Sequence, residues 1–369
     1  MSAKELPKSE LLKIDNYLTN NFEIPPDYFD SLLSIYPTND YIVGMNIYFN
    51  YKNGNKKKLE EDFYKSITLD NQLENSSYIQ LAKGIIAYNN NSEEEAIKYY
   101  KRGLEIDKLT DESNKWLRLE LYFFYQKKEF DKALEFLMES LAIDNNFTFA
   151  QYELAFINRE NGDLEAAIDV LDRIILRTTD PYAIYHKAYF LEELEEYKEA
   201  EILYTMLINK FNYIEAYTSL GAIYHYLYKD FTKAEYYFNE ALKINQNFDV
   251  AYIRLFRLYI DKKELEKAYQ AIKKGYTINK SSDNLLDFIY AEVLMKRYTT
   301  AKGLIEKYYD EFGKDYEIDF WDILWTILEG DKQNTVQVKI DKYYENYTQN
   351  EINFLKSELN AWNVKLKSE

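Results

Sequence analysis

Apolar residues recur along this chain three and four positions apart, in helix-length runs broken by short polar stretches. That spacing is the period of an amphipathic helix with one buried stripe. Glycine (10) and proline (5) are scarce for 369 residues, and turn-rich β architectures need more of both. The pattern therefore predicts an all-α chain. One outline also returns. The segments "SEEEAIKYYKRGLEID" (92–107) and "DFTKAEYYFNEALKIN" (230–245) share a small residue early in the helix, a large one four positions later, and a closing leucine and isoleucine.

The small residue sets a register. It falls at Ala96, Ala133, Ala167, Ala200, Ala234, Ala268 and Ala301, at intervals of 37, 34, 33, 34, 34 and 33. Leu59 fills the slot upstream and Val336 downstream. Four residues on, one turn along the same face, come Phe63, Tyr100, Leu137, Leu171, Tyr204, Phe238, Ile272, Ile305 and Ile340. A third mark lies twelve residues before the first: Gly84, Ala155 and Ala188 hold it, with Gly44 and Gly221 displaced by short insertions. Small residues at two marks let two helices approach closely while the large one wedges between them. The unit is a helical hairpin, and hairpins of this kind bury their apolar faces by stacking.

The segments "AYTSLGAIY" (216–224), "KAEYYFNEALKIN" (233–245), "EEEAIKYYKRGLEID" (93–107) and "NGDLEAAIDVLDRII" (161–175) resemble the tetratricopeptide-repeat family. The resemblance covers residues 38–345. The resemblance implies a right-handed α-solenoid superhelix of about nine stacked helical hairpins. Residues 1–37 are expected to cap the array with helices over 9–20 (Leu11, Ile14, Leu18) and 24–37, and residues 346–369 with a final helix. In that helix Ile352, Leu355, Leu359 and Trp362 form one stripe, while Lys356, Glu358, Lys365 and Lys367 are expected to face away from it. The proline that usually follows the second helix is replaced by Lys108, Asn145, Gln246 and Lys280, which leaves the helix ends free to fray or run on.

The formal charge of −17 repels phosphate backbones, so nucleic acid is not an expected partner. The absence of cysteine excludes disulfides and thiolate chemistry. No run approaches the ~18 apolar residues of a membrane span, and the N-terminus lacks a signal-peptide core. A cytoplasmic protein is expected. The only histidines, His186 and His225, fall in different repeats and read as structural residues. "NGNKKK" (53–58) lacks the spacing of a phosphate loop and reads as a turn between helices. Carboxylate pairs such as Glu192/Glu193 sit at helix ends, where solvated acids are ordinary. No enzyme activity, cofactor or metal is expected.

The resemblance places the first helix of each repeat on the concave wall. The residues expected to bind a partner there are Tyr78, Tyr88, Arg118, Tyr122, Tyr125, Phe149, Tyr152, Phe156, Arg159, Tyr185, Tyr189, Arg257, Tyr290, Trp321 and Trp325. Tyrosine joins apolar area to a hydroxyl at little rotamer cost, which suits recognition. Bulk composition is the competing account, since 38 tyrosines must lie somewhere. The reading is a non-catalytic interaction scaffold for a protein or peptide, neutral to basic. Two alternatives stand beside it: a peptide-sensing regulator of the tetratricopeptide quorum-receptor type, and an acidic immunity or inhibitor protein that wraps a toxin. The register is itself testable. Ala200→Phe is expected to cost roughly 1–3 kcal/mol by overpacking, and a thermal melt unchanged from wild type contradicts the register.

Overall fold

In the computed structural model the described residues are 6, 7, 10, 13, 14, 25 and 27–362, apart from 107–110 and 331–332, together with 364. Leu11, Leu18, Lys108, Lys365 and Lys367 lie outside them, and with them most of the expected helix over 9–20; Ile14 is buried. The described residues are helices, turns and loops, with no strand among them.

The chain divides into two compact units, residues 1–200 and 201–369. Unit 1 contains α1 (Tyr28–Ile35), α2 (Asp40–Lys52), α3 (Lys56–Leu69), α4 (Ser77–Asn89), α5 (Glu93–Ile106), α6 (Asp111–Tyr125), α7 (Phe130–Ile143), α8 (Thr148–Glu160), α9 (Leu164–Thr178) and α10 (Pro181–Glu193). The division falls within α11 (Tyr197–Phe211). Unit 2 continues with α12 (Ile214–Ala222), α13 (Phe231–Ile244), α14 (Asp249–Asp261), α15 (Leu265–Ile278), α16 (Ser282–Leu294), α17 (Tyr298–Phe312), α18 (Tyr316–Leu328), α19 (Gln333–Asn346) and α20 (Gln349–Ala361). Within each unit, helices adjacent in sequence pack on one another as hairpins.

The register marks are the core. All seven alanines are at most 1% exposed, as is Leu59, and each large residue four positions on is buried. The wedge is explicit at two repeats. A Cβ built on Gly84 would lie 2.1 Å from Tyr100 Cε1, and one on Gly221 would lie 2.5 Å from Phe238 Cε1. Gly44 differs: its added Cβ would meet Tyr78 of the next hairpin at 3.0 Å, not Phe63. The longer insertion between Gly44 and Leu59 turns that glycine toward a different neighbour.

The displacement of Gly221 also has a structural cause. After α12 the chain makes one π turn over Ile223–Leu227, with the Tyr228 amide donating to the Ile223 carbonyl at 3.2 Å. A π turn absorbs one extra residue within a helix, so α13 re-enters the common phase and Ala234 reaches its slot.

Turns inside the hairpins use the left-handed region at Gly54, Asn91, Gly162, Glu195, Lys229, Lys263, Lys296 and Gly330. Six-to-one bonds close several of them, from the Asp163 amide to the Asn158 carbonyl at 2.8 Å and from Glu264 to Tyr259 at 2.8 Å. These bonds occupy carbonyls that the helix end leaves orphaned. Of residues 53–58, 53–55 form such a turn between α2 and α3, closed by the Asn55 amide on the Asn50 carbonyl at 2.9 Å, and 56–58 begin α3.

The missing prolines do not fray the described helix ends at α7 and α13. Asp144 and Asn245 leave the helix in extended conformation and accept the amides of Asn146 and Asn247 at 2.9 Å, an Asx turn that stops each helix. Three second helices do run on by a residue: α9, α11 and α17 reach 15 residues and end on Thr179, Asn212 and Gly313 in positive φ.

Two glycines separate wedge from propensity. Gly221→Ala is expected to lose roughly 1–3 kcal/mol to overpacking against Phe238. Gly303→Ala, on an exposed face of α17 with nothing within 4 Å of the added Cβ, should gain up to about 1 kcal/mol of helix propensity. Urea denaturation of the two variants checks the opposite signs.

Candidate functional site

Most residues expected to bind a partner fall into two rows on the first helices. Arg118, Tyr152, Tyr185 and Trp321 precede the small-residue mark by fifteen positions. Tyr122, Phe156, Tyr189, Arg257, Tyr290 and Trp325 precede it by eleven. The rows are one helical turn apart and share a face. What each residue meets there differs.

In unit 1 many are already engaged. Tyr122 is fully buried, and its hydroxyl donates to Glu153 at 3.0 Å. Tyr125 is also buried, stacked on Phe136 with Lys132 Nζ 3.8 Å from its ring centroid. Neither offers surface to a partner. Arg118 Nε donates to Glu139 at 3.0 Å within its own hairpin. Phe149 joins the ring cluster of Trp116, Phe147 and Tyr48. Tyr78 packs edge-on to Tyr41, and Tyr88 is exposed.

Between α8 and α10 the rows meet. Tyr152 packs edge-on to Tyr182 at 5.0 Å and donates to Asp180, the N-cap of α10, at 2.5 Å. Phe156 meets His186 at 4.9 Å, and Tyr185 lies beside the same imidazole at 5.5 Å. Arg159 forms a two-pronged pair with Glu193 and sits 5.3 Å from the Tyr189 ring centroid. Burial among these rings, with Arg159 nearby, holds His186 down to about 4. A neutral imidazole in an aromatic stack fits the structural role expected of it.

In unit 2 the rows open into a cavity of about 700 Å³. Arg257 of α14, Asp287 and Tyr290 of α16, Trp321 of α18 and Trp362 after α20 line it. Alternate helices α14, α16 and α18, with the end of α20, thus contribute to one concavity, within the ~300–1,000 Å³ range of ligand sites. Tyr290, Trp321 and Trp362 have mutual centroid distances of 5.6, 6.1 and 6.2 Å and form one aromatic wall. Asp283, Asp287, Glu317 and Glu358 supply carboxylates, and Arg257 approaches Asp287 at 3.6 Å. Burial pushes the Asp287 carboxyl up; Arg257 pulls it back, while Asp283 and Glu317 add to the rise. Burial likewise raises the Tyr290 hydroxyl, helped by Glu358.

Of the expected residues the cavity gathers Arg257, Tyr290 and Trp321, but not Trp325. Trp325 holds the same register position as Tyr290, yet its indole donates to the Tyr298 carbonyl at 3.0 Å and Lys302 covers its ring. Sequence reading missed Phe354 and Trp362 as lining residues and placed Glu358 on the outer side of α20. The helical period fixes a stripe but not how wide a neighbour wraps it: Leu355 and Leu359 are buried, while the flanks of the same helix close the cavity. A tryptophan ending the stripe of a terminal helix was the available signal. Among the described residues no group of three or more histidines and carboxylates could hold a metal. None of their helices is long and apolar enough to cross a membrane.

Comparisons with known proteins agree with this geometry. The family model for the tetratricopeptide repeat matches residues 77–108. A TPR repeat-containing protein of Methanocaldococcus jannaschii is 24% identical over 321 residues, covering 80% of this chain. The chain spans about half the length of that relative (54%). The crystal structure of yeast Tom70 matches 92% of this chain and 86% of its own, at 12% identity and a TM-score of 0.59. A chain of the APC/C hetero-tetramer Cut9–Hcn1 matches 78% of this chain and 54% of its own, at 17% identity and a TM-score of 0.56. One tetratricopeptide repeat is matched, at residues 77–108, and over most of its length the chain is similar to a tetratricopeptide-repeat protein. The two solved structures show the helical-solenoid fold, and the small-to-large wedge is how this chain builds it.

The half-buried His186 imidazole gives the fold a measurable acid sensitivity. An unfolded histidine takes its proton near pH 6.5, while folded His186 stays neutral down to about 4. Stability is therefore full above pH 6.5 and falls as pH drops through that window, by roughly 1–3 kcal/mol. His186→Phe should remove this component, so the stability difference between wild type and variant is expected to change between pH 7 and pH 4. A difference constant with pH contradicts the assignment.

Proposed function

We propose that this protein is a non-catalytic interaction scaffold that captures a peptide segment or protein partner on the first-helix faces, with the unit 2 cavity as its anchor. Tetratricopeptide-repeat proteins bind protein partners, which is the background to this reading. The observation that carries it is the convergence of Tyr290, Trp321 and Trp362, from separate helices, on one open concavity. Aromatic side chains in such pockets dominate interface energetics. The net charge of −17 favours a neutral-to-basic partner over an acidic one.

The reading is tested by selecting a displayed random-peptide library on the whole protein. Enriched peptides are expected to bind wild type and to lose about tenfold or more in affinity to Trp321→Ala or Tyr290→Ala. A library that yields no peptide sensitive to either substitution argues against the scaffold.

A further inference from the structure

The cavity combines an aromatic wall with carboxylates in excess of cations. Several other rings of the chain carry its own cations: Arg297 lies 4.2 Å from the Tyr269 centroid and Lys302 4.9 Å from that of Trp325. Several other carboxylates have close cations, as in Lys262 with Glu235 at 2.6 Å and Lys339 with Asp322 at 2.7 Å. Among the described residues no lysine or arginine covers Tyr290, Trp321 or Trp362. Four carboxylates line the cavity against the single guanidinium of Arg257, whose side chain is 52% exposed and whose contact with Asp287 is a loose 3.6 Å.

Resting on the scaffold reading, we propose that this cavity receives the cationic side chain of a basic peptide: an arginine or lysine seated against the Tyr290–Trp321–Trp362 wall, with Glu317 and Glu358 as its counter-charges. An aromatic face attracts a cation through its quadrupole, and the attraction grows as the pair is desolvated. Guanidinium and ammonium groups also donate to carboxylates. An anionic segment would meet like charge on most of the rim. A neutral apolar side chain would fill the wall and leave the acids unanswered. Arg257 fits the arrangement as a gate, drawn to Asp287 and displaced or restacked by the incoming charge.

Titration of the full chain with a short peptide alternating arginine and glycine tests this, read by tryptophan fluorescence and calorimetry. Glutamine–glycine and glutamate–glycine peptides of equal length are the comparisons. Saturable binding of the arginine peptide is expected, weakening with salt, with the other two far weaker. Glu358→Gln and Glu317→Gln should each weaken it by about threefold to tenfold, and Trp362→Ala by about tenfold. Glu105→Gln, an equal charge change on an exposed site of unit 1, should leave it unchanged. The two glutamine variants keep the test valid if Trp362→Ala misfolds, provided their melts match wild type. Equal weakening by Glu105→Gln, or no weakening by Glu317→Gln and Glu358→Gln, overturns the cation site. If library peptides bind through Trp321 without a basic residue, the cation site fails and the scaffold stands. If the library yields nothing while the arginine peptide binds at the cavity, the scaffold fails and the cation site stands.

Discussion

The close approach of two helices at a small residue, with a large side chain wedged one turn along, is the contact on which the rest of this structure depends. A single helix of 13 to 15 residues is marginal in water. A hairpin alone leaves one face wet. When Gly84 admits Tyr100 or Gly221 admits Phe238, the hairpin closes tightly enough for the next to seat on it. The core is thus a succession of identical local solutions, and each unit extends by repetition rather than by enlarging a single interior.

That repetition explains what was legible beforehand. The alanine intervals located the hairpins because a slot that holds alanine in seven of its nine occurrences marks itself in sequence. The buried rows one turn apart followed from the same count. Orientation beyond the period did not follow. Tyr290 and Trp325 share a register position, but a backbone carbonyl at Tyr298 captures one indole while the other ring is left to line a cavity. Tyr122 and Tyr125 were expected on the surface and are buried, because neighbouring carboxylates and rings were close enough to satisfy them. A periodic pattern fixes where a side chain starts; its end point depends on the opposing helix.

The terminal helix makes the same point. Its stripe of Leu355 and Leu359 was readable as an inner face. The flank bearing Glu358 and Trp362 was not, because the period fixes the stripe and leaves open what borders its edges.

The π turn at Ile223–Leu227 shows how such an array tolerates copying errors. One inserted residue in a regular helix rotates everything beyond it by about 100°, which would swing the next alanine out of its slot. Here the surplus is spent inside five residues, where Ile223 and His225 stay buried and Tyr226 and Leu227 are exposed. The following hairpins inherit an uncorrupted phase, so a lesion of reading frame in the geometric sense stays confined to the repeat in which it arose.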